Sequence, residues 1–445
     1  MKFTQLPLSQ NMIQHLEQIG YKDMMPVQEK SIEKILNNNN LLIKAQTGSG
    51  KTATFAIPLL EKLDVKTFRV QHLILAPTRE LATQISNEFR KIAKFKHNIK
   101  ILTLIGGESF KKQSHSLSHH SHIIVGVPGR VLRHLEAENL TLENLKTVVF
   151  DEADKMFEMG FEDEIDAINS FIHADIQKLF LSATYTDEIL EILNGNTDLI
   201  RVEVEEQNLK DNLEEFFYKT DDKLKTLVSI LYNYQPKHCI IFTNTKVFAT
   251  ELSQELHKHN IDAIELHGDL EQFERDDSLI EFSNGSARVL VATDVASRGL
   301  DIKELDLVIN YDKAKTDEIY THRIGRTARV DAKGVAISLF DNNDEIENIT
   351  NLQKYKDGIS QIKELKATYK TVLIEGGKKA KISAGDIVGI LTATKQIKAQ
   401  DIGDITIFAN TTYVAIKHKV AQKANQILQN SKIKNRFFNT FVLQL

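Results

Sequence analysis

Residues 41–52 read LLIKAQTGSGKT, and this stretch decides the fold of the first part of the chain. Its apolar start predicts a buried strand, and the glycine-containing turn that follows predicts a sharp passage into a helix. Glycines let the backbone N–H groups of such a turn point inward at a helix N-terminus, where they hold phosphate oxygens. The stretch therefore predicts a strand, a phosphate-binding turn and a helix, in that order.

The turn matches a P-loop in which alanine replaces the usual first glycine. Lys51 can reach the β- and γ-phosphates of a nucleoside triphosphate, and the Thr52 hydroxyl can ligate Mg²⁺. A glycine-rich turn without a ligand is the alternative, and Gly-Lys-Thr directly after a strand argues against it. The predicted ATP-binding residues of this turn are Ala45, Gln46, Thr47, Gly48, Ser49, Gly50, Lys51 and Thr52.

Short apolar runs alternate with amphipathic segments on both sides of a polar stretch near residues 203–212. This alternation predicts α/β domains built on parallel sheets. We expect two such domains, at residues 1–205 and 212–345, with a helix and linker in the polar stretch 341–370. Residues 367–445 carry short strand patterns around two helical patterns, which predicts a small α+β domain.

Composition excludes several classes of protein. The chain has 445 residues, of which 42% are hydrophobic and 26% are charged, as in globular proteins. No apolar run approaches the roughly 20 residues needed to cross a bilayer, so we expect a cytoplasmic location without a membrane partner. The single cysteine, Cys239, cannot form an internal disulfide and lies in an apolar run, which predicts a buried side chain.

The charge is distributed unevenly along the chain. The net charge is −5, but residues 367–445 hold 12 basic and 4 acidic side chains, a balance of +8, against −13 for the remainder. A basic tail on an acidic body predicts that the tail contacts a polyanion. An idle basic surface is the alternative that charge alone leaves open.

Two carboxylates follow the predicted strand at residues 147–150, at Asp151 and Glu152. The end of a buried parallel strand is where such sheets bind ligands. Together with the P-loop, this position predicts that Asp151 holds Mg²⁺ and that Glu152 orients and deprotonates the attacking water. An acidic turn exposed to solvent is the alternative.

The sequence DEAD at residues 151–154 resembles the signature of the DEAD-box RNA helicases. Further motifs similar to those of that family occur before and after it, in the family's order, over residues 3–340. The resemblance implies two RecA-like motor domains that close around ATP and RNA. It also implies that Gln28 reads the adenine edge while Tyr21 stacks on its face. Asp294 is then expected near the ribose, and Arg326 and Arg329 are expected to stabilise the γ-phosphate during transfer.

The same resemblance implies a strip of RNA-binding loops at the strand ends. Backbone amides, hydroxyls and arginines in such loops hold a phosphate backbone without reading its sequence. Val127 stands where the family has threonine, which removes one expected hydroxyl contact. The predicted RNA-binding residues of the motor are Pro77, Thr78, Arg79, Gly107, Arg130, Thr243, Asn244, Arg275 and Thr293.

The C-terminal part resembles the RRM-like tail of the DbpA-type bacterial subgroup of that family. The resemblance implies that the tail grips hairpin 92 of 23S rRNA and anchors the motor on particles that become the large ribosomal subunit. Lys378, Lys379 and Lys381 are the predicted contacts, with Tyr413 as the candidate stacking aromatic. A small protein-docking domain with a basic surface is the alternative.

Four histidines lie in a segment, residues 111–122, that we predict to be a loop exposed to solvent. Histidines at this density can bind a metal, but no carboxylate or cysteine accompanies them in a ligand pattern.

These patterns predict an RNA-stimulated ATPase that unwinds short duplexes in ribosomal RNA, with ATP and Mg²⁺ as cofactors. One alternative is a general helicase for RNA decay or remodelling, and the basic tail argues against it. A second is an RNA clamp or scaffold whose ATPase times its release. A DNA helicase is a more distant third.

Overall fold

The computed structural model describes residues 1–45, 49–182, 199–204, 213–294, 305–327, 334–342, 344, 351–355, 364–393 and 395–443. The chain divides into two compact units, one formed chiefly by residues 1–207 and the other chiefly by residues 208–445. None of the helices in the described ranges has the length and apolar character that crossing a membrane requires.

The first unit contains a parallel sheet of seven described strands, in the order β3-β4-β2-β5-β6-β1-β7. Its strands are β1 (Asn40–Lys44), β2 (His72–Leu75), β3 (Ile101–Leu104), β4 (Ile123–Gly126), β5 (Thr147–Asp151), β6 (Gln177–Ser182) and β7 (Leu199–Glu203). The helices around it are α1 (Gln10–Gln18), α2 (Pro26–Leu36), α3 (Lys51–Lys62), α4 (Arg79–Ile92), α5 (Phe110–Ser118), α6 (Pro128–Glu136), α7 (Ala153–Glu158) and α8 (Glu162–Ser170).

Both faces of this sheet are buried, which explains why its strands are nearly continuous apolar runs. Leu41 and Ile43 pack in one core cluster, whereas Leu42 packs in the cluster on the other face. Strand β6 pairs in parallel with both β1 and β5. The P-loop and the DEAD segment therefore leave the sheet at the same edge, two strand positions apart.

The second unit begins with another parallel sheet of seven described strands, in the order β10-β11-β9-β12-β13-β8-β14. Its strands are β8 (Leu213–Lys219), β9 (Cys239–Thr243), β10 (Ala263–Leu266), β11 (Val289–Thr293), β12 (Leu307–Asn310), β13 (Gly334–Phe340) and β14 (Leu352–Lys354). The described helices that accompany it are α9 (Lys223–Tyr234), α10 (Lys246–Lys258), α11 (Gln272–Ser283) and α12 (Asp317–Ile324). Cys239 is fully buried in β9, as predicted.

The C-terminal part of the second unit is an antiparallel sheet in the order β16-β17-β15-β18. Its strands are β15 (Tyr369–Ile374), β16 (Ile402–Ile407), β17 (Thr412–Lys417) and β18 (Thr440–Val442). Helices α13 (Ala384–Ala393) and α14 (Ala421–Gln429) join one face of the sheet in a common core. Two parallel α/β sheets and a small antiparallel α+β domain confirm the predicted fold class.

Two local predictions need correction, and a third cannot be compared. Residues 110–118 form a helix rather than a loop, because Ser109 caps its N-terminus and both Gln113 and Leu117 are buried on one face. The stretch 341–370, predicted as a helix and linker, contains β14, which pairs with β8 and extends the second sheet beyond residue 345. Strands β7 and β8 border the predicted linker, most of which, residues 205–212, lies outside the described residues.

Candidate ATP and RNA sites

The predicted adenine reader, Gln28, contacts the P-loop directly. Its side-chain oxygen accepts a hydrogen bond from the Met25 backbone N–H (2.9 Å), and its amide nitrogen donates to the Gly50 carbonyl (3.4 Å). Gly50 has φ +85°, and a Cβ at this position would lie 2.7 Å from the Gln28 amide. A residue with a side chain is therefore disfavoured by the left-handed backbone conformation, and its Cβ would displace the Gln28 amide.

Tyr21 lies beside α4, half-buried. Its hydroxyl donates to the Glu88 carboxylate (2.5 Å), while the Lys91 ammonium lies 4.9 Å from the ring centroid. Burial and the Glu88 carboxylate raise the pKa of Tyr21 above its usual value. Tyr21 packs against the same core cluster as Val27, which precedes the buried Gln28 in α2. Stacking on adenine stays a prediction.

The acidic pair at the end of β5 is buried, with Asp151 2% exposed and Glu152 4% exposed. Burial raises the pKa of Asp151 to about 6, and the positive charge of Lys51 opposes that shift. Glu152 adopts a left-handed conformation, with φ 53°, where the chain turns from β5 into α7. Non-glycine residues rarely adopt this conformation, and it is common at functional sites.

The oxygen donors at this edge of the sheet fit the proposed Mg²⁺ site. Mg²⁺ prefers carboxylate, hydroxyl, phosphate and water oxygens. Asp151 supplies a buried carboxylate next to the Lys51 ammonium, and Thr52 opens α3 from the P-loop. Bound Mg²⁺ supplies positive charge to the phosphate oxygens. Ala45 is buried and Ser49 is half-buried, whereas Gln46, Thr47 and Gly48 lie outside the described residues.

Lys155 is a site residue that sequence reasoning missed. Its ammonium lies 2.9 Å from the Glu152 carboxylate, and the two side chains are 2% and 5% exposed. The signal was present, since a lysine three residues after an acid at a helix start faces that acid. A buried cation at this distance orients the carboxylate that we predict to act as the base.

Lys155→Met is expected to lower the free energy of unfolding of the first unit by about 3 kcal/mol, because it removes a buried cation that lies 2.9 Å from a buried carboxylate. Lys155→Arg should recover most of that loss. Lys258→Met is the matched control, since Lys258 and Glu255 have the same spacing at 2.7 Å but are 69% and 39% exposed. Urea denaturation would measure the three variants, and equal losses for Lys155→Met and Lys258→Met would contradict the prediction.

The predicted RNA strip of the first motor domain converges on the turn at Gly106 and Gly107. Gly107 has φ +81°, and a Cβ on Gly106 would lie 2.8 Å from a guanidinium nitrogen of Arg79. Arg130 donates to the Glu108 carbonyl (2.6 Å) and to the Gln113 side-chain oxygen (2.7 Å). Arg79, Gly107 and Arg130 are thus brought together.

Pro77 and Thr78 precede this group at the end of β2. Both are buried, and the Thr78 hydroxyl accepts the backbone N–H of Leu81, which starts α4 at Arg79. Sequence reasoning missed Gln113 and Phe110, which hold Arg130 through a hydrogen bond and a ring contact of 5.0 Å. The helical spacing of residues in the histidine-rich segment is the sequence pattern that could have identified both residues.

In the second motor domain, several predicted residues converge on Arg323, which sequence reasoning did not single out. Arg323 is 1% exposed and donates two hydrogen bonds to the Asp294 carboxylate, at 2.6 and 2.9 Å. It also donates to Asn244 Oδ1 (3.0 Å) and to the carbonyl of Asp312 (2.7 Å). One buried guanidinium therefore joins the segments after β9, β11 and β12.

The other predicted residues of this domain lie around that network. Thr243 and Thr293 are buried at the ends of neighbouring strands β9 and β11, where they are paired in register. Arg326 is 4% exposed just after α12, and Arg275 lies half-buried in α11. Arg329 lies outside the described residues. Contacts of these residues with RNA, ribose or phosphate stay predictions.

In the C-terminal domain, the lysines predicted to contact RNA are exposed, whereas the predicted stacking tyrosine is buried. Lys378, Lys379 and Lys381 are exposed in the turn after β15. Tyr413 is only 6% exposed, and its hydroxyl donates to the Asp277 carboxylate of α11 at 2.6 Å. In this arrangement the ring of Tyr413 is packed against the second motor domain, and stacking of Tyr413 on a base stays a prediction.

Helix α11 presents one face to the C-terminal domain. Glu281 follows Asp277 by four residues in the helix, and Asn284 follows three residues later at the helix end. The three side chains therefore lie on one side of α11. Asn284 Nδ2 donates to the Thr371 hydroxyl (2.9 Å), which itself donates to Ser286 Oγ (2.9 Å). Buried polar contacts therefore join the small sheet to the second motor domain.

Glu281 gives this contact a pH dependence. Burial and the neighbouring Asp277 carboxylate raise the pKa of Glu281 to about 7, and Lys370 opposes the shift. The folded protein binds this proton more tightly than the unfolded chain, so the contribution of Glu281 to stability is greatest below pH 4.5 and is lost as pH rises from about 4.5 to 7.

Glu281→Gln is expected to remove a pH-dependent loss of stability on the order of 2 kcal/mol between pH 5 and 8. Denaturation of both proteins across that range would measure it. Asp404→Asn, at an exposed acid of the same unit, is the control and should keep the parental slope. A Glu281→Gln slope equal to the parental one would show that this carboxyl does not titrate in the window.

Comparison with known proteins agrees with this geometry. Residues 25–192 match the family model of the DEAD/DEAH box helicase, residues 222–331 that of the helicase conserved C-terminal domain, and residues 371–440 that of the DbpA RNA binding domain. The chain is 43% identical over 434 residues to the ATP-dependent RNA helicase DbpA of Escherichia coli (strain K12), with 95% of each chain covered. It is 36% identical over 469 residues to DbpA of Bacillus subtilis (strain 168), with 98% covered.

A solved structure of S. cerevisiae Dbp5 bound to RNA and ADP BeF3 superposes with a TM-score of 0.70 at 29% identity, covering 77% of this chain and 90% of that one. The chain therefore belongs to the DEAD-box family of helicases. Within that family it is of the DbpA type, an RNA-dependent ATPase and ATP-dependent RNA helicase. The predicted family, fold and enzyme class are confirmed.

Proposed function

We propose that this helicase unwinds short duplexes in 23S rRNA during assembly of the large ribosomal subunit, with the C-terminal domain anchored on the hairpin 92 region. The observation that carries the proposal is the exposed basic turn at Lys378, Lys379 and Lys381, within a domain that matches an RNA-binding family. The proposal implies a cytoplasmic location and Mg²⁺–ATP as the nucleotide substrate.

The positions of these lysines support anchoring rather than unwinding as their role. They lie outside both motor sheets, in a domain joined to the second motor domain by buried polar contacts. A ligand held by this turn is therefore carried with one motor domain. Anchoring on a hairpin raises the local concentration of nearby duplexes at the motor, as any tethered second site does.

The triple variant Lys378→Ala/Lys379→Ala/Lys381→Ala tests the anchor. Three lost phosphate contacts are expected to weaken binding of an RNA hairpin and to reduce the slope of log K against log salt by about 2 to 3. Lys395, Lys398 and Lys423, exposed in or next to the helices of the same domain, give an alanine control with the same change in charge. Equal affinities for the two triple variants would exclude the anchor.

Unwinding distinguishes the proposed function from its alternatives. A short RNA duplex joined to hairpin 92 should be separated faster than the same duplex alone, and the Lys378, Lys379 and Lys381 variant should lose that difference. Equal rates on both substrates support a general remodelling helicase. Hydrolysis without strand separation supports a clamp or scaffold. Replacing the duplex by DNA of the same sequence tests the third alternative through loss of 2′-hydroxyl contacts.

A further inference from the structure

Arg130, the predicted RNA contact near the start of α6, uses much of its guanidinium group on the protein itself. Its Nε donates to the Gln113 side-chain oxygen (2.7 Å), and a terminal nitrogen donates to the Glu108 carbonyl (2.6 Å). Gln113 is 4% exposed, and its amide nitrogen donates to the Ile105 carbonyl and to the Glu108 carboxylate, both at 3.1 Å. Arg130 and Gln113 therefore hold the turn between Ile105 and Glu108, which leaves fewer Arg130 donors for a ligand.

Arg133 follows Arg130 by one turn of α6, and its guanidinium group is available. Arg133 is exposed, and within the described part of the chain its side chain forms no hydrogen bond or ion pair with a protein group. Its Cζ lies 4.8 Å from the centroid of the Phe110 ring, and the Arg130 Cζ lies 5.0 Å from the same centroid. Residues three apart on a helix share a side, so Phe110 holds both guanidinium groups at one place on the surface.

A buried histidine supports the Phe110 ring. The His134 ring stacks on it, with centroids 4.1 Å apart and planes 9° apart. His134 Nε2 lies 3.2 Å from the Gln113 side-chain oxygen, which can only accept, so this nitrogen carries the proton. Burial, followed by the charges of Arg130 and Arg133, lowers the pKa of His134 to about 4, so the ring is neutral at pH 7. The aromatic pair that carries Arg133 is therefore held in place and uncharged.

Positive charge accumulates at this point of the first motor domain. Burial and the charges of Arg133 and Arg79 lower the pKa of Arg130, and the nearby acid Glu108 opposes the shift. The Glu108 carboxylate already accepts a hydrogen bond from Gln113. A bound anion relieves the repulsion among the three guanidinium groups, and a phosphate oxygen accepts charge-assisted hydrogen bonds from them.

We propose that Arg133 binds a phosphate of the RNA strand on the first motor domain, and that Arg130 acts beside it as a positioning residue for the turn at residues 105–108. Val127, the N-cap of α6, has no hydroxyl group, so a phosphate at this helix is held by backbone amides and arginines. The inference rests on RNA binding by the motor and names the side chain that carries it. It does not depend on the hairpin anchor of the C-terminal domain.

Arg133→Ala in the full chain tests this role with labelled single-stranded oligouridine and a non-hydrolysable ATP analogue. Loss of one phosphate contact should reduce the slope of log K against log salt by about 0.7 and weaken binding about fivefold at about 0.1 M salt. In the ATPase assay the effect should appear as a similar rise in the KM for RNA rather than in kcat. Arg133→Lys, which keeps the charge, should retain the parental slope.

Two further variants separate RNA binding from a structural role. Arg69→Ala, at an exposed arginine of the first unit, removes the same charge and should leave RNA affinity unchanged. Arg130→Ala should lower the melting temperature, because the buried Gln113 oxygen loses a donor, whereas Arg133→Ala should melt like the parent.

Parental RNA affinity and salt slope of Arg133→Ala overturn the inference. Weaker binding with a lower melting temperature and an unchanged salt slope reveals a structural defect, which overturns it as well. If the triple variant of Lys378, Lys379 and Lys381 still loses hairpin affinity in either case, the proposed function stands and only the role of Arg133 is wrong.

Discussion

Replacing Glu152 by glutamine is expected to reduce RNA-stimulated ATP turnover by about 10²- to 10⁴-fold, the range that a positioned general base contributes. The amide keeps the size of the carboxylate but cannot accept the proton of the attacking water. Glu152 is buried and its carboxylate is held beside Lys155, so the substitution changes a side chain of defined position. Phosphate release measured at saturating RNA gives the effect.

ATP binding should survive this change, because the phosphate-binding residues belong to a different segment of the sheet edge. Binding of a fluorescent ATP analogue to Glu152→Gln should match the parent, whereas Lys51→Ala should weaken it. Glu162→Gln, at an exposed acid in the first turn of α8, should hydrolyse ATP normally. Hydrolysis by Glu152→Gln at the parental rate would show that the base has been misassigned.

Arg326→Lys is expected to slow ATP hydrolysis by about 10³-fold, the scale on which arginine fingers act in related phosphoryl-transfer enzymes. Lysine preserves the charge but not the planar guanidinium, which can donate to two phosphate oxygens at once. Single-turnover hydrolysis at saturating ATP and RNA isolates this step from binding. We propose this role for Arg326 from its place in the motif.

Arg326 is buried, so stability must be measured in parallel. Thermal unfolding should show that Arg326→Lys is folded at the assay temperature, and RNA affinity should remain within a few-fold of the parent. Arg69→Lys, at an exposed arginine of the first unit, is the matched control and should retain full activity. A folded Arg326→Lys protein with parental single-turnover kinetics would remove Arg326 from the catalytic machinery.

The local features of the ATP site were accessible from the sequence because each depends on a few consecutive residues. A strand, a glycine turn and a helix place Lys51, and a strand followed by two acids places Asp151 and Glu152. Their meeting at one edge follows from parallel pairing of β1, β6 and β5, which the alternation of elements predicts. Lys155 could have been found by the same local reasoning.

Several contacts join residues that are far apart in the chain, and no local sequence pattern predicts them. Arg323 lies 29 residues from Asp294 and 79 from Asn244, and its position in a motif rich in arginine did not distinguish it from Arg326. Tyr413 is the candidate stacking residue because it lies on the third predicted strand of the C-terminal domain. Its hydroxyl binds Asp277, which is 136 residues earlier in the chain, and no local pattern predicts this contact.

By itself the sequence determined the two α/β motor domains, the phosphate-binding turn, the acids opposite it and the basic C-terminal domain, because hydrophobic period and short motifs act over a few residues. Only the tertiary structure decided which face of the small sheet is covered, and therefore that Phe408 and Phe441, not Tyr413, remain open to solvent. Which side chains are covered depends on packing between the domains. Buried polar groups at that contact are hydrogen-bonded to each other, and these bonds cannot be predicted from the residue pattern of a single strand.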